Sequence, residues 1–136
     1  MKDEKGNPRD IRDRTYQYSL RAIRLFQSLQ EGTDRAGWEL SRQYLRSATS
    51  IGANIEEAQS GESRADFLHK YGIAQKEARE TLYWLRLMAD SNIVPQKRLS
   101  PLLKETGEII SVITAIIVKT KRVTKRMVEG IPAGPP

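Results

Sequence analysis

Apolar and polar positions along the chain follow the spacing of α-helices. Glycine and proline cluster at residues 6 to 8, 32 to 37, 95 to 101 and 130 to 136, and the four long segments between them contain almost no run of alternating β-branched residues. Short connections between consecutive helices favour antiparallel neighbours. The sequence therefore predicts an all-α fold, an antiparallel up-down four-helix bundle.

The first two segments each carry an apolar stripe. The first, about 10 to 30, repeats apolar side chains at spacings of 3 and 4. The second follows a cap at Thr33 or Asp34, and its stripe narrows midway to small residues that include Gly52 and Ala53. The missing side chains predict that a neighbouring backbone approaches closely, which offsets the helix cost of glycine, about 1 kcal/mol.

An asparagine follows these small residues. We expect the amide of Asn54 to face inward, where a buried polar group needs partners. The candidates are Glu57, Glu80 or a backbone group near Ser63. Such bonds would stabilise the corner between the second and third helices.

The third and fourth segments have clear start signals. Ser63 and Asp66 form a pair like a capping box, and apolar residues from Phe67 onward then follow a 4-3-4-3-4-3 spacing. For the fourth helix, Ser100 is the predicted N-cap and Pro101 the predicted first-turn residue. Both helices are expected to be long.

The fourth segment carries a second apolar stripe, at steps of seven. Either this helix lies deep in its own bundle, or the stripe faces another subunit, and we favour the second interpretation. Trp84, off the main stripe of the third helix, points the same way. The expected interface residues are Leu103, Ile110, Ile117 and Trp84.

Composition limits the chemistry. The 136 residues suit one domain, with a bundle at 10–128 between a flexible N-terminus at 1–9 and a flexible tail at 129–136. There is no cysteine and a single histidine, His69, expected to be solvated, so neither a metal site nor a cofactor is predicted. No signal-peptide core and no apolar run of roughly 20 residues is present, which predicts a cytoplasmic protein without a membrane partner.

No catalytic motif is present either. The sequence lacks a phosphate loop, a dinucleotide fingerprint and a metalloprotease motif. Acid-base chemistry by Glu56, Glu57, Glu77 or Glu80 is the remaining route, but carboxylates on helices are usually solvated or paired with nearby cations. We therefore predict that the protein is not an enzyme.

Positive charge is concentrated near the C-terminus. The net charge is +6, and "KTKRVTKR" at 119 to 126 holds five basic residues and no acid. Cations also complement a helix C-terminus, but five within eight positions exceed that need. They favour RNA or DNA as a partner. The expected phosphate-binding residues are Lys119, Lys121, Arg122, Lys125 and Arg126, extended on the first helix by Arg14, Arg21 and Arg24.

The stretch from residue 50 to residue 88 resembles the signature of the 23S rRNA-intervening sequence protein family, a pattern of roughly S-I-x-A-N-I-x-E-G, a short turn, and S-x-x-x-F. Ala58, Glu77 and Thr81 depart from that pattern. The matching positions are Ser50, Ile51, Ala53, Asn54, Ile55, Glu57, Ser63, Phe67, Ala74 and Glu80.

The resemblance implies a ring-like homo-oligomer, commonly a pentamer, with no assigned enzymatic activity. The fold is also similar to the accessory variability protein of diversity-generating retroelements, which implies a reverse transcriptase and nucleic acid as partners. The sequence thus yields a hypothesis of a non-enzymatic, oligomeric nucleic-acid-binding adaptor. The alternative is a protein-protein interaction scaffold with no nucleic-acid role.

Overall fold

The chain forms four α-helices joined by short turns. The computed structural model describes residues 10–30, 32 and 34–130, and within these ranges it contains no β-strand. The predicted all-α class and the four helices are confirmed. Thr33, the N-terminal segment 1–9 and residues 131–136 of the tail lie outside the described residues. The helices are α1 (Ile11–Ser28), α2 (Arg35–Gln59), α3 (Arg64–Asp90) and α4 (Gln96–Val128).

The helices pack as a bundle in which each contacts the next along the chain. α2 packs on α1 and on α3, α3 packs on α4, and the contact between α1 and α4 closes the bundle over a shorter length. The two ends of α1 meet α4 in antiparallel order, since Arg14 pairs with Glu108 at 3.5 Å and Ser28 bonds Arg98. The up-down topology follows from these contacts.

Side-chain caps begin three of the helices. The Asp10 carboxylate accepts a hydrogen bond from the Arg12 backbone N–H at 3.2 Å, and that of Asp34 accepts from Gly37 at 2.8 Å. The predicted cap of α3 is confirmed, because the Ser63 hydroxyl accepts from the backbone N–H of Asp66 at 3.1 Å. Each cap satisfies a donor that a helix start would leave unpaired.

The predicted start of α4 at Ser100 is wrong. The helix begins at Gln96, with Pro95 at the N-cap position, and Pro101 lies inside it. The Pro95 carbonyl accepts from the backbone N–H of Arg98 at 2.9 Å, closing a turn before Ser100. Leu99 is fully buried, so the turn before Ser100 belongs to the core. The sequence prediction used only the preference of Pro101 for a first helical turn and took no account of this burial.

Gly52 allows α1 and α2 to approach closely. A Cβ atom built on this residue would lie 3.3 Å from the Thr15 carbonyl oxygen and 3.4 Å from the Ser19 hydroxyl. The expected close approach is confirmed at Gly52, but Ala53 faces solvent and takes no part in it. The tight contact therefore depends on one residue.

Polar side chains hold the seam between α1 and α4. The Tyr44 hydroxyl donates to that of Tyr18 at 3.0 Å, and the Tyr18 and Thr106 hydroxyls lie 2.6 Å apart. One helical turn along α1, the buried guanidinium of Arg14 bonds the buried carboxylate of Glu105. Burial raises the pKa of Tyr18 to about 12 and that of Tyr44 well above its ordinary value, so both phenols stay neutral.

Replacing Gly52 by leucine tests the close approach. We expect Gly52→Leu to lower the free energy of unfolding by about 1–3 kcal/mol, because the new side chain collides with the α1 backbone. Chemical denaturation followed by circular dichroism measures it. Gly107→Leu is the control, since a Cβ there has no neighbouring atom within 4 Å. Equal effects of the two substitutions would contradict the interpretation.

The buried tyrosines predict a loss of stability in alkali. Above pH 10 the unfolded chain releases its tyrosine protons, whereas folded Tyr18 retains its proton up to about 12. The free energy of unfolding should therefore be independent of this group below pH 10 and fall between pH 10 and 12, by about 1.4 kcal/mol per pH unit. Denaturant titrations across that range measure the slope. Tyr18→Phe should flatten the slope, and Tyr83→Phe, at an exposed position, is the control.

Candidate nucleic-acid interface

The C-terminal part of α4 continues far beyond the level at which α1 begins. Glu108 pairs with Arg14, only three residues from the start of α1 at Ile11, whereas α4 runs on to Val128. At 1.5 Å per residue, α4 extends about 25 Å further than α1. Among the described residues, three helices therefore form this end of the bundle.

A cleft of about 530 Å³ lies at this three-helix end. One wall is a single turn of α4, from Lys119 to Val123, and the other is formed by the end of α2, the following turn and the start of α3. The second wall consists of Ala58, Gln59, Gly61, Glu62, Ser63, Arg64 and Phe67.

The second wall contains one ring of an aromatic stack. The rings of Phe67 and Tyr71 lie 4.2 Å apart, at an interplanar angle of 24°. Tyr71 is buried, and burial raises the pKa of its phenol, while Phe67 is only half-buried and lines the cleft. The amide nitrogen of Gln59 lies 3.5 Å from the Tyr71 hydroxyl, within reach of the same stack. The cleft thus combines an aromatic ring with polar groups.

Two cations border the cleft from opposite sides. Lys119 belongs to α4, and Arg64 is the first residue of α3, where its guanidinium contacts the Met127 sulfur on the last turn of α4. Glu62, on the turn between α2 and α3, is the one carboxylate among the described lining residues. This border attracts anions.

The predicted cations of α4 all reach solvent. Of the described carboxylates, only Glu129 comes within ion-pair range, at 4.0 Å from the Lys125 ammonium. All five lie on the last three turns of α4, and Lys119 among them lines the cleft. The exposed residues are Lys119, Lys121, Arg122, Lys125 and Arg126.

The predicted extension of this surface over α1 is wrong. Arg14 is buried and paired with Glu105 and Glu108, so it is not available to phosphates. Arg21 and Arg24 do border solvent, but beside Pro101, which is about 27 Å along α4 from Lys119. The structure therefore separates them from the basic end of α4.

Asn54 does not bond across the corner as predicted. Its amide nitrogen donates to the carbonyl oxygen of Ser50 at 2.8 Å, one turn earlier in α2, and lies 3.2 Å from the Ser50 hydroxyl. The acids take other partners, Glu57 with Lys70 at 2.6 Å and Glu80 with Arg46 at 2.5 Å. The carbonyl oxygen one turn earlier in the same helix satisfies the amide without any group of α3.

The second apolar stripe of α4 packs inside the protomer. Ile117 belongs to the buried core, and Leu103, Ile110 and Trp84 are half-buried against it. One reason is that α3 packs along α4, while α1 covers the first part of α4, so that α4 needs a wide apolar face. Ile117 is therefore not a free surface, whereas contact of the half-buried Leu103, Ile110 and Trp84 with another subunit stays a prediction.

Sequence reasoning missed two residues of the cleft, Arg64 and Gln59. Arg64 is not among the predicted site residues, yet it follows directly after the cap at Ser63. A cap fixes the first helical residue, so the signal that could have placed Arg64 at the end of the bundle was in the sequence.

Metal and membrane sites find no support within the described part of the chain. No group of three His, Asp or Glu residues there comes close enough to hold a metal ion. None of the described helices is long and apolar enough to span a bilayer. His69 is exposed on α3.

Comparison with known proteins found a family model and a solved structure that are similar to this chain. Residues 10–115 match the family model described as 23S rRNA-intervening sequence protein. A crystal structure of a protein with unknown function from the S23 ribosomal protein family of Bacteroides thetaiotaomicron is 35% identical, with a TM-score of 0.72. The match covers 79% of this chain and 98% of that one. Among curated proteins, none matches.

Proposed function

Because the chain belongs to the 23S rRNA-intervening sequence protein family, we propose that it is a non-enzymatic, oligomeric adaptor that binds RNA or DNA through the basic end of α4. The solved relative has no known function, so the proposal depends on the geometry of this chain. The phosphate backbone is the ligand, and the contacts carry no sequence information.

The observation that supports the proposal is the uncompensated charge on α4. Five exposed cations occupy its last three turns, and Glu129 is their only described ion-pair partner. Like charges so close together repel one another, and a row of phosphates relieves that repulsion while it releases condensed counterions. A helix C-terminus alone would need one or two cations.

Oligomerisation would multiply this surface. Tyr83 on α3 is 53% exposed and Val118 on α4 is 43% exposed, and contact with another subunit would remove this apolar surface from water. In a ring of five subunits, the basic ends of α4 would recur at regular intervals, and one strand spanning several of them would bind with the avidity of all.

A reverse transcriptase of a diversity-generating retroelement is the protein partner we propose for the adaptor. The support is the resemblance of the fold to the accessory protein of such elements. In this role the basic surface would hold the template or product strand near the enzyme.

Exposed aromatic side chains favour the second candidate, a protein-protein interaction scaffold. Tyr16 is 58% exposed and Trp38 is 38% exposed, and both lie away from the basic end of α4. Aromatic residues are enriched at protein interfaces. A scaffold would use these surfaces and would not need the cations.

The charge cluster predicts salt-dependent binding. The affinity for a single-stranded oligonucleotide should fall with salt, with a log-log slope near 0.7 per phosphate neutralised. The change of Lys121, Arg122, Lys125 and Arg126 to glutamine should flatten this slope and weaken binding to all sequences alike. Fluorescence anisotropy at several salt concentrations measures both effects.

A matched variant provides the control. Lys76, Arg79, Arg86 and Lys97 are also two lysines and two arginines, all exposed, on α3 and the start of α4. Their replacement by glutamine removes the same charge but should leave most of the affinity. Equal losses of affinity in both variants would mean that net charge alone drives binding. No binding by the wild type at low salt would favour the scaffold.

The exposed apolar residues predict the oligomer. Light scattering of the wild type should give a multiple of the 15.5 kDa protomer mass, and Tyr83→Glu with Val118→Glu should give smaller species with unchanged helicity. Ile110 and Ile117 are unsuitable positions for this test, because charges at packed positions would unfold the protomer. A wild type that runs as a monomer would show that the oligomeric part is wrong.

A further inference from the structure

We propose that the cleft beside the basic end of α4 binds one unpaired nucleobase of a single strand, stacked on Phe67, with the adjoining phosphates held by Arg64 and Lys119. This inference rests on the proposed function and deepens it. It makes the protein selective for single strands, because a paired base in a duplex cannot enter the cleft.

The size and shape of the cleft suit a nucleotide. Its volume of about 530 Å³ lies within the range of about 300–1,000 Å³ of small-ligand sites. Phe67, Val123 and Ala58 provide apolar surface, while the two cations lie on the border. A nucleotide matches this arrangement, because its flat ring would contact the apolar residues and its anionic phosphate the cations.

Phe67 is placed to stack. One face of its ring is covered by Tyr71 at a centroid distance of 4.2 Å, and the side chain remains half-buried while it lines the cleft. A base on the other face would complete a three-layer stack. Aromatic stacking of this kind tolerates all bases, because each has a π-face.

Polar groups lie within reach of the edge of such a base. The Ser63 hydroxyl accepts from the Asp66 N–H and can still donate its own proton. Among the described residues, the amide nitrogen of Gln59 contacts the Ile55 carbonyl oxygen and the Tyr71 hydroxyl, both at 3.5 Å, so a base can replace these long contacts at small cost. These groups would hydrogen-bond the base without demanding one sequence.

The dimensions of the cleft disfavour an acidic helix as occupant. The α4 wall is one turn, Lys119 to Val123, about 6 Å long. A docked amphipathic helix needs anchors at i, i+3, i+4 and i+7, which is two turns or more. A nucleobase needs only one ring-sized opening.

An abasic oligonucleotide provides the test. A short oligothymidylate should bind the wild type roughly tenfold more tightly than an abasic strand with the same phosphates. Phe67→Leu, which keeps apolar volume but removes the ring, should abolish this preference while the salt slope stays the same. Phe67→Tyr should retain it. Phe26→Leu is the matched control, because Phe26, a half-buried residue of α1, does not line the cleft.

The outcomes separate the two proposals. Equal, salt-dependent binding of both strands by the wild type would overturn the base site and leave the phosphate surface in place. No binding of either strand would overturn both. Binding of polyglutamate that Phe67→Leu also weakens would make the cleft a peptide site, and the base site would be wrong. The wild-type comparison decides the question even if Phe67→Leu does not fold.

Discussion

The unequal length of α1 and α4 is the constraint on which the rest of the structure depends. A four-helix bundle buries the apolar face of each helix only where two neighbours cover it. α4 has 33 residues and α1 has 18, so among the described residues α1 flanks only part of α4. Along α4 the last buried isoleucine is Ile117, and exposed cations follow from Lys119 onward. The cleft and the basic surface both lie beyond the part of α4 that α1 flanks.

Much of the fold could be predicted because it follows from local rules. The apolar spacing identified four helices, and the pair Ser63 and Asp66 marked the start of α3, because a cap involves neighbours in sequence. Gly52 was expected to allow close packing for a reason that concerns backbone geometry alone. The start of α4 was misplaced because burial of Leu99, a tertiary effect, extends the helix past the proline signal.

The candidate site was harder to predict because it depends on which face of each helix meets a neighbour. An arginine on a helix looks alike in sequence whether it is exposed or paired, and only the approach of α4 turns Arg14 into a buried ion pair. The second stripe of α4 likewise required knowledge that α1 and α3 flank it. The five cations of α4 are exposed, in line with the expectation that charge faces water, because no described helix covers their side chains.

The hydrogen-bonded hydroxyls of Tyr44, Tyr18 and Thr106 also fix the position of α1 along its two neighbouring helices. Apolar surfaces alone tolerate a slide of one helix along another, but two directional bonds, at 3.0 and 2.6 Å, fit a single register. A slip of α1 by one turn, about 5.4 Å, would leave these hydroxyls unpaired in the core. Such a slip would also shift, by the same distance, the point along α4 at which α1 begins. The length of α4 that extends past α1 is thus set by buried hydrogen bonds between the helices.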